Sequence, residues 1–182
     1  MKKLLLAAAT ALAFAPSTFA NGDSDRARAS LSGLQEVPVV STTGKGRLKL
    51  EIISPTRVDY ELTYEGMESP VTQAHIHIAQ RNVNGGIVLW FCGSTLATPP
   101  TPGPAGTPTC TSPSGSFSGS FSPASVQNVV AQHFATGDLA EVIDFIQKGL
   151  AYGNVHTLAS PGGEIRGQIA PRHGHGHHDH DD

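Results

Sequence analysis

His75 and His77 lie two residues apart in a segment, residues 71–78, that also carries Ala74, Ile76 and Ile78 in alternation. In an extended strand, positions i and i+2 leave the same face, about 6–7 Å apart along the backbone. Imidazole arms from that spacing can converge on one ion, and a third ring from a neighbouring strand completes a recurring geometry for zinc or copper. His156 is the candidate third member, because Tyr152, Asn154 and His156 share one face of a second strand-like segment. Neutral imidazole suits copper or zinc, with copper favoured, whereas magnesium and calcium prefer oxygen. Asn154, Glu164 and Gln168 could accept the remaining N–H of a ligand ring and so fix its tautomer. The alternative for all three histidines is plain hydrogen bonding to Glu164, Gln168 or backbone carbonyls across adjacent strands.

A second imidazole cluster stands at the end of the chain. Residues 173–182 contain only His, Gly and Asp, with His173, His175, His177, His178 and His180 beside Asp179, Asp181 and Asp182. Such a segment cannot bury apolar surface and is expected to be disordered without a ligand. It can capture Cu(II), Ni(II) or Zn(II), and because the ligands must shed protons, uptake should fail below about pH 6. A purification tag would normally be contiguous; Gly174, Gly176 and Asp179 interrupt this run.

Other chemistries find less support. Twelve basic against fifteen acidic residues, with only 15 % charged, leave no phosphate-neutralising surface for nucleic acid. Ser118 and Thr157 lack the signature of an activated nucleophile, Gly44 and Gly46 are too short a pattern for a phosphate loop, and His133 sits among apolar residues. Glu36, Glu164 and Arg166 read either as a polar site near the histidines or, preferably, as a cross-strand ion pair. A three-imidazole metal with an open position could activate water or cycle copper. No general base is paired with it in the sequence, so an enzyme is the less favoured reading.

The elements that must position these residues are mostly strands. Residues 1–20 are set aside: Lys2 and Lys3, an apolar run from Leu4 to Ala15, and Thr18-Phe19-Ala20 read as an export signal peptide too short to anchor in a bilayer. The remaining chain shows no membrane span and belongs in the periplasm or outside the cell. There, Cys92 and Cys110 are expected to pair across a segment rich in Pro and Gly. Closing that loop contributes about 3 kcal/mol on a chain-entropy basis. Residues 21–29 read as a linker.

Leu48, Leu50 and Ile52, then Val58, Tyr60, Leu62 and Tyr64, alternate with polar residues across a turn at Ser54-Pro55-Thr56. Ile87 to Cys92 is continuously apolar, Ser116 to Phe121 is a short strand, and two strands close the fold around Ser160-Pro161-Gly162-Gly163. Between them, Ser122-Pro123 should open one short helix with Val126, Val129, Val130 and Phe134 inward. Asp138 should cap a second with Leu139, Val142, Ile143 and Ile146 inward. The expectation is all-β: an antiparallel sandwich or barrel of about seven to nine strands, with two short helices before the last two strands.

Three motifs in order then become recognisable. Leu31-Ser32-Gly33-Leu34-Gln35-Glu36-Val37-Pro38, Ala74-His75-Ile76-His77, and Tyr152-Gly153-Asn154-Val155-His156-Thr157 followed by Pro161-Gly162-Gly163-Glu164-Ile165-Arg166-Gly167-Gln168 resemble the opening, central and closing motifs of the CHRD (chordin-like) domain. The resemblance spans about residues 30–170, so the β domain is placed at 30–171 and the tail at 172–182. Gly153 departs from it, a bulkier residue being common there. The resemblance implies an exported β domain with no established enzyme activity, and in chordin a binder of secreted growth factors. Two functions follow as expectations: transition-metal binding through the strand histidines and tail, or a non-catalytic module that binds another exported protein without a structured metal site.

Overall fold

The computed structural model describes residues 26–172. The export segment expected over residues 1–20, most of the linker, and the tail histidines His173, His175, His177, His178 and His180 lie outside the described residues. Nine strands follow in chain order: β1 (Arg26–Ser32), β2 (Lys45–Ser54), β3 (Arg57–Glu65), β4 (Val71–Ile78), β5 (Gly86–Gly93), β6 (Gly115–Phe121), β7 (Ala151–Thr157), β8 (Ile165–Gln168) and β9 (Ala170–Arg172). One α-helix, α1 (Leu139–Gln147), precedes β7. The strands form one antiparallel sheet in the order β5-β4-β7-β8-β1-β2-β3-β6, with β9 also paired to β1. β1 begins at Arg26, inside the segment read as a linker, and β9 reaches Arg172, where the tail was placed.

The sheet curls until its end strands meet. Tyr60 of β3 and Phe121 of β6 pack on Phe91 of β5, with ring centroids 5.1 and 5.5 Å away. The free edge of β5 is covered by backbone bonds from Gln127 N to Val88 O, from Gly93 N to Pro108 O and from Cys110 N to Gly93 O, each 2.9 Å. The expected Cys92–Cys110 disulfide fastens the last of these segments to β5. An edge so covered offers no ready template for pairing with other chains.

Leu31, Leu48, Leu50, Leu62, Ile76, Ile78, Leu89, Phe91 and Ile165 fill the interior. Gly153 faces inward too, and a Cβ there would meet Leu48 Cδ2 at 3.0 Å. The small residue at this position makes room for the Leu48 side chain.

The first expected helix does not form. Residues 122–137 contain two 3₁₀ turns, Pro123–Ser125 and Val130–Gln132, and a bridge between Val129 and Phe134. Val126 and Phe134 point inward as expected, but Val130 is 84 % exposed. Side chains compete with the helix for backbone donors here. Ser125 Oγ accepts from Ser122 N, Asn128 Oδ1 from Thr136 N and Asp138 Oδ2 from Ala135 N. The second helix forms as expected, with Leu139, Val142, Ile143 and Ile146 buried. Gly149, at φ +70°, ends it. Among the described residues no helix is long and apolar enough to cross a membrane.

Candidate metal centre

Most of the outer barrel face is polar: β2 alternates exposed and buried residues along nearly its whole length. β4 and β7 differ. All seven residues of β7 are buried, and so are all of β4 except Gln73. Their outward side chains therefore lie under a cover of loops from neighbouring segments. In register, His75 faces Asn154, His77 faces Tyr152 and Gln73 faces His156 across the β4–β7 ladder. β5 keeps Trp90 level with His75 and Ile87 level with His77 only through two bulges.

This register gathers the three histidines. His75 lies 4.6 Å from both His77 and His156, ring centroid to ring centroid. One nitrogen from each ring falls within a group whose members lie within 4.8 Å of one another. Around a tetrahedral zinc, imidazole nitrogens at their usual bond length stand about 3.4 Å apart.

The tautomers of two rings follow from their partners. His77 Nδ1 donates to Gly85 O at 2.8 Å, and His156 Nδ1 donates to Pro161 O at 2.9 Å. A carbonyl only accepts, so each Nδ1 carries the proton and each Nε2 keeps its lone pair. Both Nε2 atoms, and both nitrogens of His75, are buried without a hydrogen-bond partner. Burial pushes the pKa values of His77 and His156 down to about 4, and drives that of His75 well below its ordinary value. The rings are neutral near pH 7, the form that binds a metal.

Aromatic groups wall the cluster. Trp90 packs edge-on to His75, with centroids 5.0 Å apart. Tyr152 stacks on His77 at 4.5 Å, and the Arg166 guanidinium lies 3.4 Å from the centroid of the Tyr152 ring. Neither wall residue was singled out by the sequence, although Tyr152 was placed on the correct face.

The residues expected to fix the ring tautomers act elsewhere. Glu164 is held by Thr42 Oγ1, Thr157 Oγ1 and Glu68 N, at 2.7, 2.7 and 3.0 Å. Gln168 donates to Ala79 O and Gly149 O. Asn154 Nδ2 donates to Glu36 Oε1 at 2.7 Å. Backbone carbonyls fix the tautomers of His77 and His156 instead.

Glu36, Glu164 and Arg166 likewise form no ion pair with one another. The ion pairs among the described residues all involve exposed groups. Arg166 donates to Asn84 Oδ1 and Val83 O, at 2.9 and 2.8 Å. Burial outweighs the nearby guanidinium and raises the pKa of Glu36 to about 7. Glu36, Asn154 and Arg166 therefore belong to a buried polar layer on the side of the sheet that carries the histidines. Gly163, at φ +124°, leaves room for it, since a Cβ there would collide with Glu36 Oε1 and Asn154 Nδ2.

The family model of the CHRD domain matches residues 27–169. No curated protein and no solved structure matches the chain.

Proposed function

The chain belongs to the CHRD domain family, and we propose that it is an exported protein whose β domain holds one divalent transition ion on His75, His77 and His156. One observation carries the reading: four buried ring nitrogens on these residues have no hydrogen-bond partner. An unsatisfied buried polar group costs about 1–3 kcal/mol. A cluster of four is expensive unless something occupies it. Ordinary cross-strand hydrogen bonding accounts for the two Nδ1 atoms and leaves these four unexplained. A metal ion draws on one lone pair from each ring and so accounts for three of the four; the remaining His75 nitrogen carries that ring's proton.

Copper is the favoured ion and zinc the second, because the donors are neutral imidazoles and copper binds such sites more tightly. The five tail histidines and their neighbouring aspartates add a second, looser set of ligands that can collect or deliver ions. The amino-terminal segment and the disulfide support a periplasmic or secreted location. Calorimetric titration of Cu(II) or Zn(II) into a chain ending at Arg172 tests the structured site. One saturable equivalent is expected, and it should vanish in the double variant H75A/H77A. Absence of saturable binding, or unchanged binding in the variant, contradicts the reading.

A further inference from the structure

Asn154 contributes a fifth unpartnered atom to the same face. It is 3 % exposed, and its Oδ1 is buried without a hydrogen-bond partner. The ladder fixes its place: Asn154 stands directly across from His75, with His156 and Tyr152 on either side of it along the outward face of β7. Its Nδ2 donates to Glu36 Oε1. In this arrangement Glu36 Oε1 accepts the N–H and the carbonyl end of the amide is left free.

These five orphaned atoms fall into three kinds. Each neutral imidazole has one lone pair, so three ring nitrogens call for a cation; the fourth, on His75, carries that ring's proton and makes no hydrogen bond. The amide oxygen calls for a hydrogen-bond donor, and a metal ion is not one. Three protein ligands also leave a four-coordinate ion, tetrahedral zinc or tetragonal Cu(II), one position short. Resting on the metal reading above, we infer that the fourth position is taken by a water molecule that donates to Asn154 Oδ1. Such a water satisfies the amide acceptor and completes the coordination together. Asn154 is then a positioning residue for an exchangeable solvent ligand, and Glu36 orients Asn154 in turn. The centre is of the open kind, able to exchange its fourth ligand, and not a closed structural site.

Pulsed EPR in D₂O tests this on the Cu(II)-loaded full-length chain with its five tail histidines replaced by alanine, so that the tail supplies no imidazole; this chain is the wild type of the series, and copper is kept at or below one equivalent. Deuterons on an atom bonded to the copper couple far more strongly than those on the outer ring nitrogens. The wild type is expected to show nitrogen couplings from imidazole together with strongly coupled deuterons. Asn154→Leu fills similar volume without an acceptor; it should keep the nitrogen couplings and lose at least half of the strong deuteron signal. Imidazole couplings without strongly coupled deuterons in the wild type would overturn the water ligand while leaving the metal site standing. So would a deuteron signal unchanged in Asn154→Leu, as far as the role of Asn154 is concerned. Nitrogen couplings that survive replacement of His75 and His77 would instead sink the parent reading.

Discussion

His77 and Tyr152 stack face to face, with ring centroids 4.5 Å apart and planes within 6° of parallel. Arg166 closes the other side of Tyr152, 3.4 Å from the ring centroid. The stack fixes one imidazole by packing while Gly85 O fixes it by hydrogen bonding. Removing the plate should loosen the ligand without removing it. Tyr152→Leu is expected to weaken Cu(II) binding about tenfold or more, the usual cost of losing a group that orients a ligand. Tyr152→Phe keeps the stack and loses only the contact of the hydroxyl with Gly85 N, so its affinity should stay close to wild type. Equal losses in the two variants would show that the stack does not position the ring.

Acid should destabilise the metal-free protein through the same rings. His77 and His156 have folded-state pKa values of about 4. Unfolded histidine titrates near 6.5, so between these values the unfolded chain binds more protons. Stability is then fully present above about pH 6.5 and is lost as the pH falls towards 4. The loss approaches about 3 kcal/mol for each ring. Urea denaturation of the chelator-treated protein, in a Glu36→Gln background that removes the opposing titration of that carboxyl, measures it at pH 7.5, 5.5 and 4.5. A midpoint independent of pH over this range would contradict the buried, neutral state assigned to these rings.

Glu36 acts with the opposite sign. Its folded pKa is raised to about 7 from 4.5. The folded state therefore disfavours the charged carboxylate, and stability present below about pH 4.5 is lost as the pH rises through 7. Glu36→Gln preserves an acceptor for Asn154 and removes the charge. It should stabilise the metal-free protein by about 1–3 kcal/mol at pH 8 and by nothing measurable at pH 4.5. A destabilised variant at pH 8 would show that the charge is compensated where it sits.

Glu164 should behave as a structural tie. Its two oxygens accept from two threonine hydroxyls and one backbone amide. Glu164→Ala is expected to cost about 3 kcal/mol or more and to leave the metal affinity of the folded protein within a few-fold of wild type. Loss of metal binding at unchanged stability would return Glu164 to the site.

Much of this site was legible because strands project alternate residues to opposite faces. The spacing of His75 and His77 placed both rings on one side of β4, and the polar face of residues 152–156 supplied the third. The partners of the rings were not legible. Gly85 and Pro161 contribute backbone carbonyls, which every residue possesses, so no side-chain type announces them. Glu164 misled because its nearness to His156 in sequence says nothing of the loops at Thr42 and Glu68 that claim it. Trp90 comes level with His75 only through bulges in β5 that periodicity does not reveal. The segment around Val126 to Phe134 has helical apolar spacing, yet Ser125, Asn128 and Asp138 divert its backbone donors, and His133 turns at φ +60°.

Trp90 offers the most direct test of the metal centre. It is the one tryptophan in the chain, and its ring centroid lies 5.0 Å from that of His75. Cu(II) bound to the three histidines should quench its fluorescence strongly, saturating at one equivalent and reversing with chelator, in a chain ending at Arg172. Loss of that quenching in H75A/H77A is the expected result. Fluorescence that stays unchanged as Cu(II) is added to the wild-type domain, or quenching of equal strength in the variant, would contradict a copper site at these residues.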